Sequence, residues 1–255
     1  MAAVAPRHRT ERFFKEKAKE VLLALAGNPH LQERDLLRLL ERKDLSPEVL
    51  RAIAEHREAV RSYAVKLGLV RHPRTPRLLS LPILKFLHLF DLVRVCQTPA
   101  VPTDVKHVIE ETILKRAERI PRGEKITLAR RGSGRVAAGL LVTEDRELIG
   151  AALDNPFLTE AHILRILQQQ NLPAQVVESI TVHDRWSGRY HLRLALIRNP
   201  LTPLARVLEF LPDLAVNDLR EICLDRRMPG QLRKYILVYC ARRLNKRPRG
   251  RPHAE

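Results

Sequence analysis

The chain has 255 residues, of which 46 are Lys or Arg and 29 are Asp or Glu, so its formal net charge is +17. Its hydrophobic fraction of 45% is ample for a folded core and excludes wholesale disorder. Aromatic residues make up only 4% of the chain and glycines only 10 positions, a composition that favours helices over an aromatic-rich sandwich or barrel.

The N-terminal stretch MAAVAPRHRTERFFKEKAKE turns charged where a secretion signal would turn apolar. No apolar run in the chain reaches the roughly 18–20 residues that a membrane-spanning helix needs. Three scattered cysteines form neither a disulfide framework nor a CxxC pair. These features predict a cytoplasmic protein without a membrane span, with a flexible basic N-terminus over residues 1–9.

Short helices are predicted from residue 10 onward. Leucines recur at the three- and four-residue spacing of an apolar helical stripe, at Leu36, Leu37, Leu40, Leu78, Leu81 and Leu84. A hydroxyl residue followed by proline predicts an N-cap and a first helical residue at Ser46-Pro47, Thr75-Pro76 and Thr202-Pro203. Proline breaks recur roughly every 20–30 residues, which is typical of stacked helical pairs, because no short helix buries its apolar stripe alone.

The second half of the chain repeats the first. A shift of 127 residues aligns the chain with itself without a gap from about residue 25 to residue 121. Asn28-Pro29 falls on Asn155-Pro156, and Cys96 falls on Cys223. About a third of the positions between residues 28 and 102 are identical. We interpret this as an internal tandem duplication, with a first copy over residues 10–121 and a second over residues 152–244.

The units ALAGNPHLQERDLLRLL, ALDNPFLTEAHILRIL and LVRHPRTPRLLSLPIL resemble the leucine-rich-variant and HEAT-like α/α-repeat proteins of bacteria. The resemblance covers most of residues 20–245 and implies an all-α fold, a right-handed α-solenoid of short stacked helices that forms one continuous domain. It implies no particular activity, because such proteins include scaffolds, lyase-type modifiers and DNA-repair glycosylases. The iron–sulfur cysteines of some leucine-rich-variant proteins have no counterpart, since no cysteine precedes Cys96.

Residues 122–151 lie between the copies and are predicted to form a connecting helical unit. The stretch RIPRGEKITLARRGSGR, residues 119–135, contains six basic residues against one acid, Glu124. A glycine-bearing turn flanked by arginines can present backbone N–H groups and guanidinium groups to phosphate, although an ordinary solvated turn fits the same pattern. The basic residues of this candidate anion-binding segment are Arg119, Arg122, Lys125, Arg130, Arg131 and Arg135.

The C-terminal part of the second copy is more one-sided in charge. Ten basic residues lie between residues 226 and 251 with no acid among them, whereas Glu110, Glu111 and Glu118 interrupt the equivalent part of the first copy. The run RRLNKRPRGRPHAE passes into a basic tail, residues 245–255, that is predicted to be flexible. The candidate nucleic-acid-binding residues here are Arg226, Arg227, Arg233, Lys234, Arg242, Arg243, Lys246 and Arg247.

Residues that could carry catalysis or bind a metal are few. The chain contains no GxSxG, HExxH, P-loop or dinucleotide-binding motif. His183, Asp184 and His191 lie close in sequence, but their spacing fits neither i,i+4 pairing nor a zinc finger. Cys96 and Cys223 occupy equivalent places, which predicts buried structural residues. We therefore expect no catalytic residue, no metal and no cofactor.

A DNA glycosylase is a remote alternative. The HEAT-like glycosylases, which the chain resembles in its predicted fold, use aromatic side chains and a carboxylate in a concave cleft. Trp186 beside Asp184 is the pairing that fits this description, and Trp186 replaces Ala59 of the first copy. A lone tryptophan is more often an anchor for helix packing.

The composition and the two basic segments predict a non-enzymatic helical-repeat scaffold that binds an anionic macromolecule. Nucleic acid or a nucleoprotein is the first expectation, with contacts to phosphates, since few aromatic residues are available to stack on bases. The alternative is a protein–protein scaffold whose concave face holds a partner helix or an acidic segment. We expect no small-molecule substrate.

Overall fold

The computed structural model describes residues 11–225, 228 and 230–245. These residues form helices and turns and include no β-strand, so the all-α prediction is confirmed for them. No helix in this part of the chain has the length and apolar character to cross a membrane. The predicted flexible N-terminus, and all but the first residue of the predicted tail, lie outside the described residues.

Contacts between helices divide the chain into two compact units, residues 1–121 and residues 122–255. The first unit opens with a 3₁₀ turn, Glu11–Lys15. Its α-helices are α1 (Lys19–Ala26), α2 (Glu33–Leu40), α3 (Pro47–Glu55), α4 (Arg57–Arg61), α5 (Tyr63–Arg71), α6 (Arg77–Leu84), α7 (Leu89–Gln97) and α8 (Thr103–Ala117). Helix α1 packs on α3, α3 on α5, α5 on α7 and α6 on α8, so most helices contact the next but one.

The second unit has the same kind of packing. Its α-helices are α9 (Arg122–Arg131), α10 (Gly134–Leu140), α11 (Arg146–Leu153), α12 (Glu160–Leu167), α13 (Ala174–Val182), α14 (Tyr190–Arg198), α15 (Leu204–Phe210), α16 (Val216–Cys223) and α17 (Gly230–Asn245). A 3₁₀ turn, Leu211–Asp213, follows α15. Helix α9 packs on α11, α11 on α13, α10 on α12, α12 on α14, α14 on α16 and α16 on α17.

Helix positions in the two units match in register. Helices α11 to α17 begin 127 residues after α1, α2, α3, α5, α6, α7 and α8, in that order. The exception is α4, because its counterpart, residues 184–188, forms a turn. The match includes α1 and α11, whose first turns precede the stretch in which the two sequences align.

A tyrosine–aspartate pair recurs at the same register positions. The Tyr63 hydroxyl donates to Asp91 Oδ2 at 2.5 Å and accepts the His88 backbone N–H at 3.0 Å. Tyr190 bonds Asp218 in the same way in the second unit. Each pair ties the start of one helix to the first turn of a later one, α5 to α7 and α14 to α16.

The three predicted N-caps have different outcomes. Ser46 Oγ accepts a backbone N–H in the first turn of α3, so this cap is confirmed. The predictions for Thr75 and Thr202 are wrong, because each hydroxyl donates instead to a carbonyl near the end of the preceding helix, Leu69 O and Leu196 O, both at 2.6 Å. The following proline, rather than the threonine, occupies the position before each helix. Each of these carbonyls also accepts a backbone N–H, from His72 and Asn199, so the threonine hydroxyl is a second donor that ties the turn to the preceding helix.

The tyrosine pair provides a test of this packing. Tyr63→Phe removes a hydroxyl bonded at both ends, so we expect the free energy of unfolding to fall by about 1–3 kcal/mol. Tyr190→Phe is the matched variant in the second unit, and its loss should be smaller because Tyr190 is 37% exposed and water can replace the hydroxyl. Urea unfolding followed by circular dichroism measures both. A larger loss for Tyr190→Phe than for Tyr63→Phe would contradict this expectation.

Candidate functional site

Arg122, the first residue of α9, is held by two carboxylates. Its Nε lies 2.5 Å from Asp145 Oδ2, and its Nη2 lies 2.7 Å from Glu147 Oε2. The hydrogen bond from Arg122 lowers the pKa of Asp145 to about 2, and the same bond raises the pKa of Arg122. Asp145 also caps α11 by accepting two backbone N–H groups. The Arg122 guanidinium is therefore engaged within the protein.

The glycine-bearing turn between α9 and α10 serves close packing. A Cβ on Gly134 would overlap the Phe157 carbonyl oxygen, at the turn before α12. A Cβ on Gly132 would lie 2.7 Å from the Leu128 carbonyl oxygen, which also accepts the Gly132 N–H. Ser133 between them caps α10. Both glycines are thus explained by the close approach of backbone, and Gly134 is buried.

The other basic residues of this segment differ in exposure. Arg130 and Arg131 form the exposed last turn of α9. Lys125 and Arg135 are partly buried. Arg119 is exposed but belongs to the first unit. Arg130 faces solvent and forms no ion pair with another described residue.

Two of the basic residues on α17 have structural bonds. Arg233 Nη2 donates to the Asp225 carbonyl oxygen at 2.8 Å. Arg243 Nη1 donates to the Leu214 carbonyl oxygen at 2.5 Å. The exposed cations of α17 are Lys234 and Arg242. Four of the predicted site residues, Arg226, Arg227, Lys246 and Arg247, lie outside the described residues.

The two basic segments are separated within the second unit. In its packing order, α11 to α16 lie between the α9–α10 segment and α17. The exposed cations of α9 and those of α17 are therefore two candidate surfaces.

The cysteines behave as predicted from the repeat. Cys96 and Cys223 are buried, with 8% and 6% of their surface exposed, so this prediction is confirmed. Their Sγ atoms lie 3.9 Å and 4.0 Å from the carbonyl oxygens of Lys106 and Arg233, at equivalent places in α8 and α17. Burial raises the pKa of the Cys96 thiol to about 12 and also raises that of Cys223. Because the thiolate is the reactive form, these thiols are poor nucleophiles at neutral pH.

The histidines and acids considered as a metal cluster have other partners. His183 Nε2 lies 3.2 Å from Asp154 Oδ1, and its Nδ1 accepts the Arg185 N–H at 3.2 Å. His191 lies in α14 with its ring edge-on to Tyr190. Among residues 11–225, 228 and 230–245, no group of three His, Cys, Asp or Glu side chains could hold a metal ion.

Trp186 is a packing anchor. It is 2% exposed, and its indole N–H donates to the Leu153 carbonyl oxygen at 2.9 Å. The Arg185 guanidinium lies over the ring, 4.3 Å from its centroid. The indole is therefore buried and does not form a wall of an open cleft. The glycosylase alternative requires Trp186 and Asp184 to line such a cleft together, and this geometry does not support it.

Sequence reasoning missed a groove in the second unit. This α15–α17 groove has a volume of about 410 Å³ and lies between the end of α14, α15 and the start of α17. Its apolar lining includes Ile197, Leu204, Val207, Leu208, Leu232 and Tyr235. A signal was present in the internal alignment, since Leu204 falls on Arg77 of the first copy.

No protein-family model, no curated protein and no solved structure matches this chain. The described residues form an all-helical fold, which is the class of protein that the structure defines. A more specific assignment depends on the residue pattern and on the geometry described above.

Two glycines of the second unit allow the packing role of the turn to be tested. Gly134→Ala should lower the free energy of unfolding by about 1–3 kcal/mol, because its Cβ would meet backbone that cannot move aside cheaply. Gly123→Ala is the control, since a Cβ there meets nothing within 4 Å and alanine favours the helix by up to about 1 kcal/mol. Thermal unfolding of both variants measures the difference. If Gly134→Ala is as stable as Gly123→Ala, close packing is not the reason for that glycine.

Proposed function

We propose that this protein is a non-enzymatic helical-repeat scaffold that binds an anionic macromolecule, with nucleic acid as the first candidate. The architecture that we infer is a right-handed α-solenoid of the HEAT-like or leucine-rich-variant kind, produced by an internal duplication. The identical 127-residue spacing of seven helix starts supports the duplication. Packing of most helices on the next but one, together with the short helix lengths, supports a stacked-repeat architecture.

The absence of acidic residues from α17 carries the proposal of nucleic-acid binding. Its sequence, GQLRKYILVYCARRLN, contains no Asp or Glu, whereas α8 contains Asp104, Glu110 and Glu111. Lys234 and Arg242 are exposed on α17, and neither forms an ion pair with another described residue. A helix that carries only positive charge, continued in the sequence by Lys246 and Arg247, attracts phosphates without reading bases.

The number of cations available for phosphate is smaller than the net charge suggests. Arg122 is paired with carboxylates, and Arg233 and Arg243 donate to backbone carbonyls. In α17 this leaves Lys234 and Arg242 as the residues that we expect to contact phosphate. Each phosphate neutralised on duplex DNA contributes about −0.9 to the slope of log affinity against log salt.

The test compares α17 with its counterpart α8. Lys234→Gln combined with Arg242→Gln should flatten the salt slope for duplex DNA by up to about 2 units and weaken binding at low salt. Lys115→Gln is the matched control, because Lys115 is equivalent to Arg242 but shares its helix with three acids, so we expect no change in slope. Titration of labelled duplex and single-stranded DNA and RNA at several salt concentrations measures the slopes.

Two results would overturn the proposal. One is the absence of salt-dependent binding to any of these nucleic acids near physiological salt. The other is a loss from Lys115→Gln equal to that from Arg242→Gln alone, which would mean that total charge rather than the α17 surface governs binding. Circular dichroism of each variant checks that the helices remain formed.

A further inference from the structure

One face of α17 differs in chemistry from the equivalent face of α8. Residues at spacings of four, three and four lie on the same side of a helix. On α17 this face consists of four exposed residues, Gln231, Tyr235, Val238 and Arg242. The equivalent residues on α8 are Asp104, Val108, Glu111 and Lys115. Gln231 and Val238 thus stand where α8 has the acids Asp104 and Glu111. The face of α17 contains no acid, and Arg242 at its end is a cation.

The same exchange removes an ion pair at the position of the α15–α17 groove. In the first copy, Arg77 at the start of α6 lies 3.8 Å from Asp104 at the start of α8 and bridges the two helices at their surface. In the second copy these positions hold Leu204 and Gln231, which cannot form an ion pair. Leu204 is 60% exposed and Tyr235 is 50% exposed at the rim of the groove. Large apolar side chains exposed together around a concave surface mark an interaction site.

We propose that the α15–α17 groove binds an acidic amphipathic helix supplied by a partner protein. Apolar side chains of the partner, spaced at i, i+3 or i+4, and i+7, would enter the groove beside Leu204 and Tyr235. Carboxylates on the flanks of that helix would meet Lys234 and Arg242, which border the apolar face of α17. Nucleic acid and the partner helix would both use Lys234 and Arg242, but the apolar part of this interaction does not depend on phosphate contacts.

The charge of the chain argues against two other occupants of the α15–α17 groove. The chain's own terminal segments are basic: MAAVAPRHRT, residues 1–10, contains no acid, and KRPRGRPHAE, residues 246–255, contains one. Neither offers an acidic amphipathic helix. A second copy of the chain would bring a cationic, acid-free α17 against another one, and each chain carries a net charge of +17. A partner of opposite charge has no such repulsion to overcome.

The probe is a fluorescein-labelled designed peptide of about 18 residues, long enough for about five helical turns, with Leu at the anchor spacing and Glu on both flanks. A second peptide has Lys in place of every Glu. Fluorescence anisotropy with the full chain should show the Glu peptide binding at least about tenfold more tightly than the Lys peptide, because α17, which forms one wall of the groove, has exposed cations and no acid. Lys234→Gln combined with Arg242→Gln should reduce that preference.

The equivalent ion pair of the first copy suggests a variant that places two charged side chains in the groove. Leu204→Arg combined with Gln231→Asp introduces the residues of the Arg77–Asp104 pair without changing net charge, and should weaken the Glu peptide at least about tenfold. Leu204→Gln serves as a second, milder variant, since this side chain is largely in solvent and its loss leaves the core intact. Leu78→Arg is the control, because Leu78 is 83% exposed but lies in the first unit, so binding should not change.

The outcomes separate this inference from the proposed function. Leu204→Gln retains Lys234 and Arg242 and adds no acid to α17, so its salt-dependent nucleic-acid binding should equal that of the unaltered chain whether or not the groove binds a helix. If the Glu peptide fails to bind, or binds no more tightly than the Lys peptide, the inference is wrong. It is also wrong if the chain dimerises in solution and the groove variants dissociate the dimer, because the occupant is then a second copy.

Discussion

The ends of short helices impose the constraint on which the rest of this structure depends. Every helix leaves carbonyl groups at its C-terminal end without partners inside the helix, and many proteins satisfy them with a glycine in the left-handed conformation. Across residues 11–225, 228 and 230–245, no residue has a positive φ, so this solution is not used there. In this protein, side chains from further along the chain donate to carbonyls in the turns that follow the helices. His56 bonds Asn28 O at 3.0 Å, His72 bonds Arg42 O at 2.7 Å, and Arg116 bonds Leu87 O at 2.6 Å, at sequence separations of 28, 30 and 29 residues.

This constraint changes how the positive charge of the chain is interpreted. In the second unit, Arg185 donates to Asn155 O at 2.9 Å, and Arg243 makes the bond equivalent to that of Arg116. Arginine suits this role because its planar guanidinium reaches several carbonyls at once. Part of the arginine excess thus holds helices together, and only the cations that remain exposed can meet a partner. The surface available for binding is therefore defined by which arginines are not engaged, rather than by net charge.

The sequence was sufficient to predict what residues 25–121 and 152–248 have in common, namely the spacing of their helices and the burial of Cys96 and Cys223. It was insufficient where the outcome depends on a partner distant in the chain. Arg122 and Arg242 look alike in sequence, but Arg122 lies between the carboxylates of Asp145 and Glu147, which is visible only once α9 and α11 pack. The hydroxyl of Thr75 donates backward to Leu69 O rather than accepting from the helix that follows. The local sequence pattern is the same for both arrangements, so it did not predict this bond. The groove beside Leu204 depends on the placement of α17 against α15.

The central claim is that side-chain donors to carbonyls at the end of a helix or in the turn after it hold successive helices together, and Arg116 tests it most directly. Arg116 serves three carbonyls, those of Leu84, Lys85 and Leu87, at 2.9, 3.1 and 2.6 Å. Arg116→Lys keeps the charge but replaces the planar fork with a single ammonium group, so urea unfolding should show a loss of about 1–3 kcal/mol. Arg119→Lys, at an exposed position one turn further on, should leave the free energy of unfolding unchanged. Equal unfolding midpoints for the two variants would contradict the claim.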